Sequence, residues 1–105
     1  MLIALIIGGI TMVSICVYTK PEVLLHKQGK LKDDPDFSRS GDYFWKLPSL
    51  TKGFVDKIYF ATKGFIRGYF EVFECDGKEI NFCCRDWYDI EPIPQKPFQG
   101  YKYMD

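Results

Sequence analysis

Histidine is the scarcest chemically active residue in this 105-residue sequence, since His26 is its single example. The four cysteines lack the C-x-x-C spacing that is typical of zinc sites and redox pairs. No second histidine and no cysteine lies at helical spacing from His26, so we expect no metal site and no cofactor. A triad that joins His26 to a nucleophile through the fold is neither indicated nor forbidden. The pattern argues against a metal-dependent enzyme.

An excess of charge of one sign is also missing. The chain has 14 basic and 14 acidic side chains, so it lacks the overall attraction to phosphate of a strongly basic protein. Basic residues crowd the first two thirds of the chain and acidic residues crowd the last third. Nucleic-acid binding would therefore need a local basic patch, and we expect two faces of opposite sign.

The cysteines do not form a disulfide framework. They have no paired spacing, and the neighbours Cys83 and Cys84 should point to opposite sides of a strand. We expect free and mostly buried thiols, as in a protein of a reducing compartment such as the cytoplasm.

Charged residues are absent from residues 1–18, which form a largely apolar run. The run is long enough for a membrane helix or a signal-peptide core, but no basic residue precedes it and no A-x-A cleavage site closes it. Gly8 and Gly9 interrupt it, and β-branched residues dominate its second half. We favour a third interpretation, with an apolar extension over residues 1–11 and a single domain over residues 12–105 that begins with a buried strand.

After that strand, the pattern predicts one short helix and several strands. Pro21 suits a first helical turn, and Gly29 ends the apolar stripe that follows it. A polar loop then leads to a second strand at YFWKL, which Pro48 ends.

Two turns that contain glycine organise residues 57–84. Three-residue loops ending at Gly64 and Gly77 would place Phe60 opposite Ile66 and Val72 opposite Ile80. This register predicts one apolar core face, made of Ile58, Phe60, Ile66, Phe70, Val72, Ile80 and Phe82.

The opposite face of these strands mixes aromatic rings with cations. In the predicted register Arg67 lies directly across from Tyr59, and Lys57 across from Tyr69. Such a face suits the stacking of bases and the neutralisation of phosphate. An ordinary solvated sheet with Arg67 resting on Tyr59 has the same composition, and on the sheet alone that simpler interpretation is preferred.

The order of elements and two stretches resemble a known family. SGDYFWKLP and VDKIYFATKGFIRGYFEV, which together cover about residues 40–75, are similar to the ASCH and EVE branch of the PUA-like superfamily. The tail WYDIEPIPQKPFQGYKY looks like that of small phage and mobile-element proteins. The resemblance implies an α+β fold, a small mixed, mostly antiparallel β-barrel of about five to six strands with one or two short helices. It also implies binding of RNA or modified bases and, in a few members, nuclease activity.

The G-x-K-x-x-E-x-R motif of typical ASCH proteins is only partly present. GDYFWKL keeps Gly41 but has Tyr43, Phe44 and Trp45 where charges are expected, and Lys46 alone can stand for the basic member. The loss of the acidic and arginine positions argues against catalysis. An aromatic cleft favours binding, because stacking contributes about 1–3 kcal/mol per base.

We therefore expect a non-catalytic module that recognises RNA or a modified or extruded base by aromatic stacking. Trp45 is the expected platform, although a tryptophan in a small barrel is more often a core residue. Trp87 forms either a second wall or a cap on the barrel, and Arg67 contacts phosphate or packs on the surface. The expected nucleic-acid contacts are Lys20, Tyr43, Trp45, Lys46, Lys63, Arg67 and Trp87.

Two other functions stay open at this point. A phage or mobile-element protein that inhibits a host factor would fit the opposite-signed faces and the zero net charge. An ASCH-type ribonuclease is the third alternative, and a membrane partner is not favoured.

Overall fold

The computed structural model describes residues 5–7, 10–31 and 33–104, which form one curved, mostly antiparallel sheet and one short helix. The elements in chain order are β1 Leu5–Ile7, β2 Ile10–Tyr18, α1 Pro21–Lys27, β3 Asp42–Lys46, β4 Phe54–Thr62, β5 Phe65–Asp76, β6 Glu79–Pro94 and β7 Tyr101–Tyr103.

The strands lie in the order β1-β2-β4-β5-β6-β3, with β7 beside β2. Strands β2 and β4 are parallel, and every other described pair is antiparallel. The predicted small α+β fold with a mixed, mostly antiparallel sheet is therefore confirmed. The main path of the sheet has six strands, within the predicted number, and the short β7 is an additional strand beside β2.

The predicted closed barrel is wrong, because the sheet is a half-barrel. Within the described residues β3 pairs only with β6, so hydrogen bonding does not join β3 to the other end of the sheet. Helix α1 packs on β4 and brings His26 against the edge of the Tyr43 ring of β3, with 5.0 Å between ring centroids. A helix, rather than a further strand, therefore lies at the open side.

The start of the sheet extends across the predicted boundary at residue 11. Strand β2 begins at Ile10, and β1 pairs antiparallel with its first residues, Leu5 opposite Met12 and Ile7 opposite Ile10. The rest of the predicted extension, residues 1–4, 8 and 9, lies outside the described residues. No helix in the described part of the chain has the length and apolar character needed to cross a membrane.

Helix α1 begins and ends as the sequence predicts. Pro21 occupies its first turn, where a missing N–H leaves no bond unmade. The helix ends at Lys27, and Gly29 follows with a φ of +69°. Leu24 is its one buried residue and packs into the core, so the helix is held mainly by tertiary contact.

The core lies on the concave face of the sheet, around three fully buried phenylalanines. The Phe60 ring lies edge-on to Phe70, and Phe70 stacks on Phe82 with centroids 4.4 Å apart. Of the predicted core face, Ile58 and Ile80 are also fully buried here, and Val72 packs partly against them. Ile66 is buried too, but it belongs to a second small cluster with Cys16 and Ala61.

Both predicted hairpin registers are wrong, because each turn has two residues rather than three. Thr62 pairs with Phe65 across Lys63 and Gly64, and Asp76 pairs with Glu79 across the turn at Gly77. The core residues still reach the core because bulges in β5 restore the alternation that the shorter turns would reverse.

The four cysteines are free thiols, as predicted. Cys16 and Cys83 are buried, while Cys75 and Cys84 are half-buried. Burial raises the pKa of the Cys16 thiol to about 12. Burial, followed by the neighbouring Cys83, also raises the pKa of Cys84. These two thiols are therefore poor nucleophiles at neutral pH.

Candidate functional site

Two open depressions contain five of the seven predicted nucleic-acid contacts, and each has one tryptophan. The α1 cleft, of about 400 Å³, lies between the helix and strands β4, β5 and β6; it is lined by Pro21, Leu24, Leu25, Gln28, Thr62, Lys63, Arg67, Trp87 and Asp89. The β3 groove, of about 480 Å³, lies at the end of β3; it is lined by Tyr18, Trp45, Lys46, Leu47, Pro48, Phe98, Gln99 and Gly100.

Arg67 reaches the α1 cleft because it is the extra residue of a β-bulge. Ala61 pairs with Ile66 and Phe60 pairs with Gly68, so Arg67 has no opposite residue on β4. The pairing of β5 with β6 shifts at the same place. Bulges redirect side chains in this way, and they are common beside functional sites. The bulge brings the guanidinium of Arg67 into the same depression as the indole of Trp87.

The predicted contact between Arg67 and Tyr59 is therefore wrong. Tyr59 lies opposite Tyr69, and Tyr69 stacks on Tyr88 of the next strand with 5.2 Å between ring centroids. Lys57 lies opposite Glu71 rather than opposite Tyr69 as predicted, although its ammonium is 5.2 Å from the centroid of the Tyr69 ring. The outer face of the sheet is thus a row of tyrosines across three strands, separate from the α1 cleft.

The side chain of Arg67 is held at one nitrogen. Its Nε donates to the backbone oxygen of Thr62 at 3.2 Å, and its Cζ lies 5.0 Å from the centroid of the Phe65 ring. The two terminal nitrogens have no hydrogen-bond partner among the described residues. This geometry leaves the forked end of the guanidinium available for an anionic or planar polar ligand.

The indole of Trp87 packs over Gly68 of the neighbouring strand. A Cβ at Gly68 would come within 2.5 Å of the Trp87 ring and 2.3 Å of the backbone oxygen of Tyr88, so only glycine fits there. The indole N–H donates to Oδ1 of Asp89 at 2.7 Å, and the ring lies edge-on to Phe70. Trp87 is half-buried, so it is both anchored in the core and present at the wall of the cleft.

Lys63 stands in the turn at the end of the cleft with a φ of +51°, the single positive φ of a described non-glycine residue. With Gly64 at +86°, both residues of the turn are left-handed, as in a type I′ hairpin turn. The N–H of Gly64 donates to the Tyr18 hydroxyl at 2.7 Å. A lysine in this conformation costs about 1 kcal/mol relative to glycine or asparagine, and strained residues cluster at functional sites.

Two uncharged polar side chains line the α1 cleft, Thr62 and Gln28. Thr62 is 6% exposed; its Oγ1 is shielded from solvent and has no hydrogen-bond partner among the described residues. Leaving such a group buried and unpaired costs about 1–3 kcal/mol. Gln28, at the end of α1, has an amide that can donate and accept. Gln28 therefore adds a neutral hydrogen-bonding group to the aromatic ring and the two cations.

In the β3 groove, Trp45 and Lys46 occupy a regular strand. Trp45 is half-buried, and its ring meets the edge of Phe60 with centroids 5.2 Å apart. It therefore contributes to the core and also lines an opening. Lys46 is exposed, with its ammonium 6.0 Å from the Phe44 ring. The predicted platform and its neighbouring cation thus lie together, but in a different depression from Trp87 and Arg67.

Lys20 and Tyr43 line neither depression. Lys20 is exposed at the N-cap of α1, where its backbone oxygen accepts from Val23 and Leu24. Tyr43 is 5% exposed, and its hydroxyl accepts from the backbone N–H of Ser38 at 3.1 Å. Tyr43 is therefore a core residue that anchors the loop before β3.

The sequence prediction missed Thr62, Gln28 and Asp89. None of them has a sequence signal of its own, because each reaches the cleft through the packing of α1 and the register of β4, β5 and β6. Lys27 was also missed; its ammonium lies 5.2 Å from the Phe44 ring and 5.8 Å from the Trp45 ring. Burial lowers the pKa of Lys27, against the opposing attraction of Asp34 and Asp36.

Metal-binding and acid–base groups are sparse in the described part of the chain. No group of three histidine, cysteine, aspartate or glutamate side chains there could hold a metal ion. His26 lines neither depression, and its Nδ1 is hydrogen-bonded to Oδ2 of Asp34. In the α1 cleft the one carboxylate, Asp89, accepts from the Trp87 indole. The arrangement is equipped for stacking, anion binding and neutral hydrogen bonding.

Comparisons with family models, with curated proteins and with solved structures give no significant match. A functional assignment therefore rests on the chemistry of the site.

Proposed function

We propose that this protein is a non-catalytic nucleic-acid-binding module that holds a single-stranded or extruded base, of RNA or modified DNA, in the α1 cleft. The observation that carries the proposal is the bulge at Arg67, which brings a guanidinium whose fork has no partner among the described residues into one cleft with a tryptophan. The resemblance to PUA-like ASCH and EVE domains supports the same class of ligand.

Each part of the cleft matches a part of a nucleotide. The Trp87 ring offers a stacking surface that accepts any base, worth about 1–3 kcal/mol. Arg67 and Lys63 supply positive charge for phosphate without requiring a basic molecule. The Gln28 amide provides a donor and an acceptor for the base edge. A cleft of about 400 Å³ lies within the range of small-ligand pockets.

The strained turn at Lys63 also favours a ligand, since its left-handed backbone holds the lysine at the rim of the cleft.

Fluorescence anisotropy with short labelled single-stranded RNA, single-stranded DNA and duplexes containing a modified base tests the proposal at low salt. Arg67→Gln should weaken binding about tenfold, which is the loss of about 1.4 kcal/mol. The matched control is Lys57→Gln, which removes one positive charge from the tyrosine face outside the cleft. Binding that is absent at low salt, or equal losses in the two variants, would contradict the proposal.

A protein-interaction function is the second candidate, in which the chain inhibits or adapts a host factor. The open edge of β3 and the exposed ring of Phe44 favour it, because strand edges and exposed aromatics are common binding surfaces. A stoichiometric partner that survives nuclease treatment, together with no oligonucleotide binding, would support this candidate over the first.

An ASCH-type ribonuclease is the remaining alternative. A cleavage assay that compares the chain with Lys46→Ala and Arg67→Ala tests it. Cleavage that either substitution abolishes would replace binding with catalysis as the function.

A further inference from the structure

Strand β3 is the last strand of the sheet, with β6 on one edge and no strand described on the other. Among the described residues its one strand partner is β6. The backbone bonds that frame this pairing run from Cys84 N to Gly41 O at 2.7 Å and from Leu47 N to Lys78 O at 2.8 Å. The first bond lies just before the Asp42–Cys83 pair, and the second lies just after the Lys46–Glu79 pair.

These two bonds determine which backbone groups remain available. In an antiparallel ladder hydrogen-bonded and non-hydrogen-bonded pairs alternate. Tyr43 and Trp45 therefore exchange bonds with β6, and the N–H and C=O groups of Asp42, Phe44 and Lys46 point to the open edge. The Asp42 N–H donates to the hydroxyl of Ser40 at 3.2 Å, so the other groups of this edge are the ones that can pair.

The side chains on either side of Phe44 carry opposite charges, Asp42 before it and Lys46 after it. Asp42, Phe44 and Lys46 alternate with the core residues of β3, so they share its outer face, and all three are exposed. If a second β3 pairs antiparallel with Phe44 opposite Phe44, each Asp42 faces the Lys46 of the other copy. A parallel pair in register would instead oppose like charges, which is unfavourable.

We propose that β3 pairs antiparallel with β3 of a second copy of this chain, giving a two-fold symmetric dimer in which the sheet is continuous across both copies. The two Phe44 residues exchange backbone bonds, and each Lys46 N–H donates to the Asp42 carbonyl of the other copy. Such a contact is isologous, because the same patch serves on both sides. The proposal does not depend on the nucleic-acid function.

Lys27 stands at this edge, and its side chain must move aside when any strand, including a second β3, pairs there. Its ammonium lies within 6 Å of both the Phe44 and the Trp45 rings, which are on opposite faces of β3, so it stands beside the open edge. Lysine at a strand edge is a common protection against unspecific pairing. A five-residue strand pair also buries less than the roughly 1,000 Å² of a stable interface. The dimer is therefore weak, with a Kd in roughly the micromolar to millimolar range.

Charge reversal tests the predicted opposition of Asp42 and Lys46. Sedimentation velocity over a series of protein concentrations measures the Kd of dimerisation for each variant. Asp42→Lys and Lys46→Asp each create two like-charged pairs, and each should weaken the dimer about tenfold. The double variant restores both pairs with inverted charges and should return the Kd to within about threefold of the parent chain. A chain that stays monomeric to about 1 mM, or a double variant as weak as the single ones, would overturn the proposal.

A cysteine at the symmetry centre gives an independent test. In a hydrogen-bonded pair the two Cα atoms are about 5.5 Å apart, which suits a disulfide. Phe44→Cys should give a covalent dimer under mild oxidation. The matched control is Phe73→Cys, an exposed aromatic position on β5 that is 56% accessible. Equal cross-linking of the two variants and the parent chain would show that β3 is not the contact.

Discussion

The α1 cleft and the β3 groove each have one tryptophan and at least one lysine, yet they are built differently. In the β3 groove Trp45 and Lys46 follow the regular alternation of a strand. In the α1 cleft, Arg67 is a bulge residue, Lys63 has a positive φ and Trp87 packs over a glycine that accepts no side chain. The irregular depression is the one in which an aromatic ring, two cations and a side-chain amide converge. The comparison teaches that, in this sheet, departures from regularity bring together the groups suited to binding.

The largest expected effect concerns the stability of the α1 cleft, where Trp87 packs over Gly68. Gly68→Ala forces a Cβ against the Trp87 ring and the Tyr88 carbonyl, so the free energy of unfolding should fall by about 3 kcal/mol, measured by urea denaturation. Gly77→Ala is the control, because it has open space around it and only the cost of its φ of +58°, about 1 kcal/mol. Equal losses would mean that the approach of Trp87 to β5 is looser than described.

Removing each indole compares the two depressions as binding sites. Trp87→Leu should weaken oligonucleotide binding at least about fivefold, since stacking contributes about 1–3 kcal/mol per base. Leucine keeps apolar packing against Phe70. Trp45→Leu should change the affinity less than about threefold. Circular dichroism checks that both variants fold. The reverse order of effects would assign the site to the β3 groove.

Lys63→Asn distinguishes a lysine kept for binding from one kept for the fold. Asparagine tolerates a positive φ and forms the preferred Asn-Gly turn, so the free energy of unfolding should rise by about 0.5 kcal/mol. Oligonucleotide affinity should fall, and its dependence on the logarithm of salt concentration should flatten by about 0.7 if one phosphate contact is lost. A variant that gains stability and binds as the parent does would remove Lys63 from the site.

The smallest effect concerns the loop between α1 and β3. Helix α1 lines the α1 cleft and β3 lines the β3 groove, so this loop connects the two depressions. The backbone N–H of Asp36, followed by His26, lowers the pKa of Asp34. The unfolded chain binds this proton at a higher pH than the folded chain does. The stabilisation is therefore complete above the ordinary aspartate pKa of about 3.9 and is lost as the pH falls through the lowered pKa. Asp34→Asn should flatten the acid limb of the stability curve, whereas the exposed control Asp33→Asn should not.

Regular features could be predicted from the sequence. Pro21 and Gly29 mark the helix, and the alternation in β4 to β6 identifies Phe60, Phe70 and Phe82 as core residues, because burial on one face has a period of two. The free cysteines follow from their spacing. These features depend on residues that are close in the sequence.

The composition of the candidate site could be predicted only in part. Trp87, Arg67 and Lys63 were expected as binding residues, but nothing in the sequence shows that β5 bulges at Arg67 or that the turn at Lys63 has two residues. Both follow from a competition between turn geometry and core burial, which only the folded sheet resolves. The open edge of β3 was missed for a similar reason, since it depends on α1 lying at the place where the sheet would close.

The pairing of β2 has a consequence for how the chain folds. Ile15 lies opposite Ile58 on one side and Tyr103 on the other, so the central hydrophobic strand finds its neighbours far along the chain. Long loops must close before those contacts contribute, which gives a high contact order and slow folding. During synthesis β2 is made before β4 and β7, so the apolar side chains that these strands cover stay exposed until then. A chaperone can bind such an exposed apolar segment.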